Sequence, residues 1–315
     1  MKGLELSEAY FNQVGAPMIE QKFPEYRNRI AAGLVGEGSE CYGFDDEISR
    51  DHDWGPSFSL WLTKDDHQQI GSILQEEIDG LPGQFKDIGP RRESQFGHGR
   101  VGVLEIGSFY RRFIGIDHAP VSLNEWRRIP EVNLAAATNG KVYVDPLGEF
   151  TSIRDILKGF YPEDVRLKKI ASRCMSIAQS GQYNFARCVK RKEYVAAHSA
   201  EAKFVEDAIS LVFLLNRRYR PFYKWMHRAL KDLPILGEYV HNRILDLVLL
   251  HDGGAGEDLY YRKNAVIEDI SQILIEELRR QHLSDSQSDF LLDHGPVIQQ
   301  KIQDSGIRAM PVWAE

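Results

Sequence analysis

The spacing of hydrophobic residues divides the chain near residue 150. In the first part, short apolar or alternating segments bounded by glycine and proline predict strands, and segments with apolar residues every three to four positions predict amphipathic helices. The predicted strands are 29–35, 51–62, 101–106 and 141–144, and the predicted helices are 6–21 and 65–78. Residues 80–99 are rich in glycine, proline and charge, which predicts a loop.

The second part has nearly continuous helical spacing. Phe204, Ala208, Leu211 and Leu215, for example, recur at the spacing of one helix face. The predicted helices are 153–160, 162–179, 193–219, 221–230, 239–250 and 264–283. The segment 251–256 predicts a loop rather than a phosphate-binding turn, because no strand precedes it.

These patterns predict an α+β fold. A mixed sheet with flanking helices is expected in a first domain, residues 1–150, and an all-helical bundle in a second domain, residues 151–315.

Composition narrows the class of protein. The 315 residues are 43% hydrophobic and 27% charged, which is typical of a globular chain with a large core. The apolar run 211–215 is far shorter than the roughly 18 residues of a membrane span, and no secretory signal is visible at the N-terminus. The three cysteines have neither disulfide-framework nor zinc spacing. We expect a reduced, cytoplasmic protein with no membrane partner.

The net charge of −7 hides an uneven distribution. Residues 41–90 carry eleven acids and three bases, whereas residues 181–230 carry ten bases and four acids. The overall charge argues against general nucleic-acid binding, and the two halves could set metal-binding carboxylates against a phosphate-binding basic surface. Two ordinary solvated faces are the alternative.

The first predicted strand is followed by a glycine–serine pair, Gly38 and Ser39. After an interval of eleven residues come Asp51 and Asp53, which would point to the same face of a strand. Two carboxylates so close repel each other unless a divalent cation such as Mg²⁺ lies between them. Glycine and serine donors after a strand can hold phosphate oxygens. Alternatively, Ser39 is only a helix N-cap and the acids line a solvated loop.

The segment Gly38-Ser39 through Asp45-Asp46 to Ser49-Arg50-Asp51-His52-Asp53-Trp54-Gly55 resembles the nucleotidyltransferase superfamily with a DNA polymerase beta-like palm. Within it, the segment resembles an uncharacterised bacterial family. The order of a small α/β domain and a helical domain is similar to that of aminoglycoside and lincosamide nucleotidyltransferases.

The resemblance implies the roles of several residues. Gly38 and Ser39 would hold the β- and γ-phosphates of a nucleoside triphosphate, and Asp51 and Asp53 would hold Mg²⁺ or Mn²⁺. The family pattern also calls for a third carboxylate on a neighbouring strand. Glu105 is our choice for this metal-binding and catalytic position, because it is an acid within an apolar strand.

Asp145 is the alternative third carboxylate, although its position before a proline suits a turn residue better. Arg111 and Arg112 follow the Glu105 strand and either point into the cleft or lie on the surface.

The basic helical half supplies further candidates for nucleotide binding. Related enzymes use a helical domain to bind the triphosphate and the acceptor. Arg187 and Lys224 are the candidates here, since each has aromatic neighbours in sequence that could stack on a base. The alternative is that the aromatic residues belong to the core and the cations to the helix surface.

The leading hypothesis is therefore a metal-dependent nucleotidyltransferase. It would move a nucleoside monophosphate from a triphosphate to a hydroxyl acceptor and release pyrophosphate. A small-molecule acceptor is favoured over RNA or protein. The second hypothesis is a nucleotide sensor or partner-binding module without catalysis on the same fold. The acceptor, the preferred base and the oligomeric state are not encoded visibly in the sequence.

Overall fold

A computed structural model describes residues 1–95, 97–250 and 256–315, although the side chains of residues 256 and 257 are not described. The loop predicted at 251–256 thus lies outside the described residues, apart from Gly256, at which a helix begins.

Two compact units make up the described chain. The first consists of Met1–Val121 and Ile129–Gly159, and the second of Ser122–Arg128 and Phe160–Glu315. The functional division at residue 150 stays a prediction.

A four-stranded mixed sheet is the centre of the first unit. Its strands are β1 (Ala31–Leu34), β2 (Ser59–Leu62), β3 (Gly102–Glu105) and β4 (Lys141–Val144), in the order β3-β2-β1-β4. Strands β2 and β3 are parallel, whereas β1 runs antiparallel to both β2 and β4.

The two faces of β2 bury different sets of side chains. Leu60 and Leu62 belong to a hydrophobic cluster with helices from the start of the chain. Trp61 points to the other face, where its ring stacks on Phe150 with the centroids 4.0 Å apart. Because alternate residues of a strand face opposite sides, one strand anchors helices on both faces of the sheet.

In the described chain six α-helices belong to the first unit, and a seventh, α5, lies among them in sequence but belongs to the second unit. They are α1 (Gly3–Tyr10), α2 (Ala16–Lys22), α3 (Lys64–Asp79), α4 (Ile106–Ile114), α5 (Leu123–Arg128), α6 (Glu131–Thr138) and α7 (Glu149–Lys158). A π-helix, Phe11–Gly15, joins α1 to α2, and the 3₁₀-helices Glu40–Tyr42 and Ile48–Arg50 follow β1.

The rest of the second unit is helical in its described part. Its α-helices are α8 (Glu163–Ile177), α9 (Ala186–Lys190), α10 (Tyr194–Leu215), α11 (Tyr223–Leu230), α12 (Gly237–Leu249), α13 (Gly256–Arg280), α14 (His294–Gln299) and α15 (Ser305–Arg308). A π-helix, Ala178–Phe185, links α8 to α9, and Leu291–Asp293 is a 3₁₀-helix. The face predicted for α10 is buried, with Phe204, Ala208, Leu211 and Leu215 at most 2% exposed.

The predicted α+β class is confirmed, since a mixed sheet with flanking helices precedes a helical C-terminal region. Among the residues that the structure describes, every helix is too short or too polar to cross a lipid bilayer.

Two predicted elements differ from the structure. The helix predicted at 6–21 is interrupted by the π-helix, where a Cβ atom on Gly15 would collide with the ring of Phe58. The strand predicted at 51–62 is wrong for residues 51–58, because β2 begins only at Ser59. Gly55, with a φ of +140°, and Pro56 interrupt extended pairing before that point.

Replacing a buried residue of β2 should destabilise the protein strongly. We expect Leu60→Ala to lower the free energy of unfolding by about 2–5 kcal/mol, because it leaves a cavity in the hydrophobic cluster. The control is Ile73→Ala on α3, an exposed site where the change should be within about 0.5 kcal/mol. Urea unfolding followed by circular dichroism measures both, and equal effects would contradict this description of the core.

Candidate functional site

The first unit contains a small pocket beside the ends of β1 and β3. Its volume is about 100 Å³. The polar side chains on its wall are Glu37, Arg100, Glu105, Ser108 and Arg112. The turn after β1, the residues before β3 and the first turns of α4 supply them, so the sheet brings together residues that are distant in sequence. A cavity of this size suits a group such as a phosphate.

The turn after β1 contains two glycines in backbone conformations that other residues avoid. Gly36 has a φ of +128° and Gly38 a φ of +120°. The side-chain amide of Asn139 holds this turn, since it accepts a hydrogen bond from the Gly36 N–H (2.9 Å) and donates one to the Gly36 carbonyl (2.7 Å). The chain can therefore turn sharply directly after the strand.

Donors in this turn remain available for a ligand. Within the described part of the chain, the N–H groups of Gly38 and Ser39 and the Ser39 hydroxyl make no hydrogen bond to protein. Ser39 precedes the 3₁₀-helix Glu40–Tyr42 without capping it through its side chain. Both residues are partly exposed, and neither belongs to the pocket wall, which includes Gly36 and Glu37 of this turn.

Two arginines of the pocket are paired with the carboxylate of Glu37, which lies in the turn after β1. Arg112 donates to Glu37 at 2.7 Å, and the Arg100 Nε lies 3.4 Å from the same Glu37 oxygen. Arg112 also donates to the Gly99 carbonyl at 2.9 Å. The cations are thus held at the pocket by an acid that an incoming anion would have to displace.

The sequence reasoning missed Glu37 and Arg100 as pocket residues. A charged residue between two glycines is one signal that could have revealed Glu37, and an arginine at the end of a glycine-rich loop just before a strand could have revealed Arg100. Of the neighbouring arginines on α4, Arg112 lines the pocket, whereas Arg111 is an exposed residue paired with Asp117.

Asp51 and Asp53 lie in a loop before β2 and not on a strand. The expectation that both carboxylates point to the same face of a strand is therefore wrong. The side chain of Asp51 is 65% exposed, with His52 Nδ1 2.8 Å from it. Asp53 has a φ of +52°, a conformation that aspartate tolerates better than most residues. The two carboxylates consequently have different surroundings.

The carboxylate of Asp53 anchors the loop that precedes β3. It accepts hydrogen bonds from the N–H (2.8 Å) and hydroxyl (2.7 Å) of Ser94, and Arg100 Nη1 lies at 3.4 Å. A Cβ atom on Gly97 would collide with it. Partial burial raises the pKa of the Asp53 carboxyl, but the bonds from Ser94 and the charge of Arg100 outweigh burial and leave that pKa below its ordinary value.

Glu105 ends β3 and caps the N-terminus of α4. Its carboxylate accepts hydrogen bonds from the N–H groups of Gly107 (2.7 Å) and Ser108 (2.6 Å) and from the Ser108 hydroxyl. Burial raises the pKa of Glu105, yet these hydrogen bonds prevail and the pKa is lowered. Glu105 lies at the pocket with its oxygens already engaged, and its role as a third metal ligand stays a prediction.

Asp145, the alternative third carboxylate, caps a different helix. It accepts hydrogen bonds from the N–H of Gly148 (3.1 Å) and from the N–H (2.7 Å) and hydroxyl (2.8 Å) of Thr151 at the start of α7. This is the role of a turn residue.

The predicted metal ligands do not fit a metal ion in this arrangement. Asp51 is exposed, while the carboxylates of Asp53 and Glu105 already accept several hydrogen bonds. Across residues 1–95, 97–250 and 256–315, no three His, Cys, Asp or Glu side chains are grouped so that they could hold a metal. Magnesium binding by these residues stays a prediction.

The two predicted nucleotide-binding cations of the helical unit each contact an aromatic ring. The Arg187 guanidinium lies 4.6 Å from the ring centre of Tyr183, and the Lys224 ammonium lies 4.5 Å from that of Trp225. Their role in binding a triphosphate stays a prediction.

Comparison with known proteins adds two findings. Residues 126–226 match a family model described as a domain of unknown function, DUF4037. A crystal structure of a nucleotidyltransferase-like protein from Exiguobacterium sibiricum 255-15 matches 91% of this chain and 89% of its own, with 10% identity and a TM-score of 0.38. A search of curated proteins found no match.

Removing the charge of Asp53 should destabilise the protein in a pH-dependent way, because this carboxylate anchors the loop before β3. We expect Asp53→Asn to lower the free energy of unfolding at pH 7 by about 1–2 kcal/mol, because charge-assisted hydrogen bonds are replaced by neutral ones. Since the folded-state pKa is lowered, this stabilisation is complete above about pH 4 and disappears as the pH falls through the folded-state value. Asparagine also tolerates the positive φ.

Urea unfolding at pH 7 and at pH 3 tests this expectation, with the exposed Asp51→Asn as the matched control. The control should differ from wild type by no more than about 0.5 kcal/mol. Equal destabilisation by the two variants, or a difference for Asp53→Asn that persists undiminished at pH 3, would show that its carboxylate does not hold the loop.

Neutralising Glu37 should improve anion binding at the pocket. We expect Glu37→Gln to bind inorganic pyrophosphate about two- to fivefold more tightly than wild type, because a partly exposed ion pair of up to about 1 kcal/mol no longer competes for the arginines. Isothermal titration calorimetry measures the change. Glu47→Gln, an exposed acid outside the pocket wall, controls for net charge, and an equal gain there would contradict the competition.

Proposed function

We propose that the chain is a nucleotidyltransferase that moves a nucleoside monophosphate from a nucleoside triphosphate to a hydroxyl acceptor, with a small molecule as the favoured acceptor. The observation that carries this proposal is the turn at residues 36–39. Two glycines there leave backbone and hydroxyl donors available beside a pocket that contains two arginines. Such donors suit phosphate oxygens.

In the proposed reaction the acceptor oxygen attacks the α-phosphorus. The bond between the α-phosphorus and the bridging oxygen to the β-phosphorus breaks, and pyrophosphate leaves. Gly38 and Ser39 would hold the departing phosphates, and Arg100 and Arg112 would balance their charge. Most of the catalysis would then come from positioning and charge neutralisation.

The proton of the acceptor hydroxyl needs a base. Glu105 is the candidate because it lies at the pocket, but its lowered pKa makes it a weak base and favours a binding or positioning role instead. Magnesium remains part of the proposal on the strength of the resemblance. It would require the carboxylates of Asp53 and Glu105 to give up donors that they now engage, and we assign no step to the ion.

One observation favours the second candidate function, which is nucleotide binding without transfer. The carboxylates that a transferase would direct at its substrate are used here to anchor a loop and to cap a helix. A protein that only senses a nucleotide would need the glycine turn and the arginines, but it would not need free carboxylates.

Triphosphate binding should depend on Arg112 and not on Arg111. We expect Arg112→Gln to weaken ATP or GTP binding at least about tenfold, since a charge-assisted hydrogen bond contributes about 1.5–3 kcal/mol. Arg111→Gln, on the same helix but paired with Asp117, is the matched control and should bind like wild type. Calorimetry with each triphosphate, with MgCl₂ or with EDTA, measures the affinities.

Pyrophosphate release in the presence of candidate hydroxyl acceptors then separates the two functions. Release that is lost in Arg112→Gln supports transfer. Tight binding with no release for any acceptor supports the sensor. Absence of triphosphate binding by wild type, or equal affinities for the two arginine variants, would overturn both.

A further inference from the structure

The cations of one basic segment of the helical unit have no ion-pair partner among the residues that the structure describes. Arg187, Lys190, Arg191 and Lys192 occur within six residues of one another, at and just after helix α9, and all four side chains are exposed. One acid, Glu193, follows them, so residues 183–194 carry a net charge of +3. We call residues 183–194 the basic–aromatic segment.

Several other cations of the same unit are paired with acids, as Lys263 is with Glu201 (2.7 Å) and Lys203 with Asp207 (2.8 Å). By contrast, the four cations of the segment form neither an ion pair nor a side-chain hydrogen bond with any residue that the structure describes. Neighbouring like charges repel each other, and a bound polyanion would relieve this repulsion.

The backbone holds the cations in a tight turn. The Arg191 N–H donates to the Arg187 carbonyl at 3.2 Å, the Lys192 N–H donates to the Val189 carbonyl at 2.8 Å, and the Glu193 N–H donates to the Cys188 carbonyl at 2.9 Å. Lys192 itself has a φ of +63°. The charged side chains therefore project from an ordered turn between α9 and α10.

Two tyrosines flank the cations. Tyr183 is 49% exposed and lies under the Arg187 guanidinium, while Tyr194 is 50% exposed. The ring of Tyr194 stacks on Tyr260 of α13, with centroids 5.5 Å apart and planes 15° from parallel. The stack fixes the orientation of the half-exposed Tyr194 ring. A base that stacks on this ring would therefore cost little additional side-chain entropy.

We propose that the basic–aromatic segment binds single-stranded nucleic acid. Cations that follow a phosphate backbone, combined with aromatic rings on which unpaired bases stack, are the recurrent means of binding single strands. An acidic peptide would use the cations but not the tyrosines, and a duplex would hide its bases from them.

This proposal is independent of the proposed nucleotidyl transfer. Arg187, which is also a predicted triphosphate ligand, is left unchanged in every variant below, so that failure of one proposal does not imply failure of the other. If both hold, a nucleic acid becomes a candidate acceptor.

Fluorescence anisotropy of the full chain with a fluorescein-labelled 12-nucleotide oligouridine tests the proposal. For single strands the logarithm of affinity falls with the logarithm of salt by about 0.7 per phosphate contact. We expect Lys190→Gln/Arg191→Gln/Lys192→Gln to reduce that slope by about 2. The control Lys64→Gln/Lys86→Gln/Lys158→Gln, which removes the same charge from exposed or partly exposed sites in the first unit, should leave it unchanged.

The tyrosines separate base stacking from simple charge attraction. We expect Tyr183→Leu and Tyr194→Leu each to weaken oligouridine binding about fivefold or more, since a stacked base contributes about 1–3 kcal/mol. Neither should alter binding of an abasic phosphodiester of equal length. Circular dichroism and thermal unfolding check that each variant is folded.

Several results would overturn the proposal. These are equal affinity for oligouridine and the abasic strand, equal effects of the two triple variants, tyrosine variants that bind like wild type, or no measurable binding at 50 mM salt. Tighter binding to vesicles of anionic phospholipid than to oligouridine would assign the segment to a membrane surface instead.

Discussion

The burial of β2 between two helical layers is the constraint on which the first unit depends. Leu60 and Leu62 enter one hydrophobic cluster, and Trp61 stacks on Phe150 on the opposite face. A shift of one residue in the register of this strand would turn each of these side chains toward the wrong layer. Because β1 and β3 both pair with β2, its register also fixes where the turn after β1 meets the start of β3, and so places the pocket.

At this pocket, acidic side chains of the protein itself occupy groups that a bound anion would use. Glu37 occupies the two arginines that an anion would use, Glu105 caps α4, and Asp53 holds the loop that carries Arg100. Each carboxylate therefore has a structural role that ligand binding would have to modify. The same engagement lowers the pKa of Asp53 and of Glu105, so both remain ionised through the neutral range.

Periodicity sufficed to predict the fold class, because it reports which residues are buried. The four strands were found near their observed positions, and the buried face of α10 was predicted residue by residue. Helices α4, α5, α6, α9, α14 and α15 were not predicted. The π-helix Phe11–Gly15 was hidden as well, because the close packing of Gly15 against Phe58 is a tertiary contact that helical spacing does not reveal.

The candidate site was less predictable than the fold. The glycine–serine turn and Glu105 could be picked from sequence, but not the hydrogen bonds that engage Glu105 and Asp53. Those bonds come from Ser108, in the first turn of α4, and from Ser94, in the long loop before β3. Whether either serine reaches a carboxylate depends on how these two segments fold. Arg100 and Glu37 meet only because β1 and β3, which are distant in sequence, both pair with β2 in the sheet.

The most direct test of the central claim is a titration of ¹⁵N-glycine-labelled protein with a non-hydrolysable nucleoside triphosphate, followed by amide NMR. The account predicts that the resonances of Gly36, Gly38 and Gly99 move together with one dissociation constant, while that of Gly181 in the helical unit's core stays in place. A triphosphate that binds without moving the Gly36 and Gly38 resonances would contradict it.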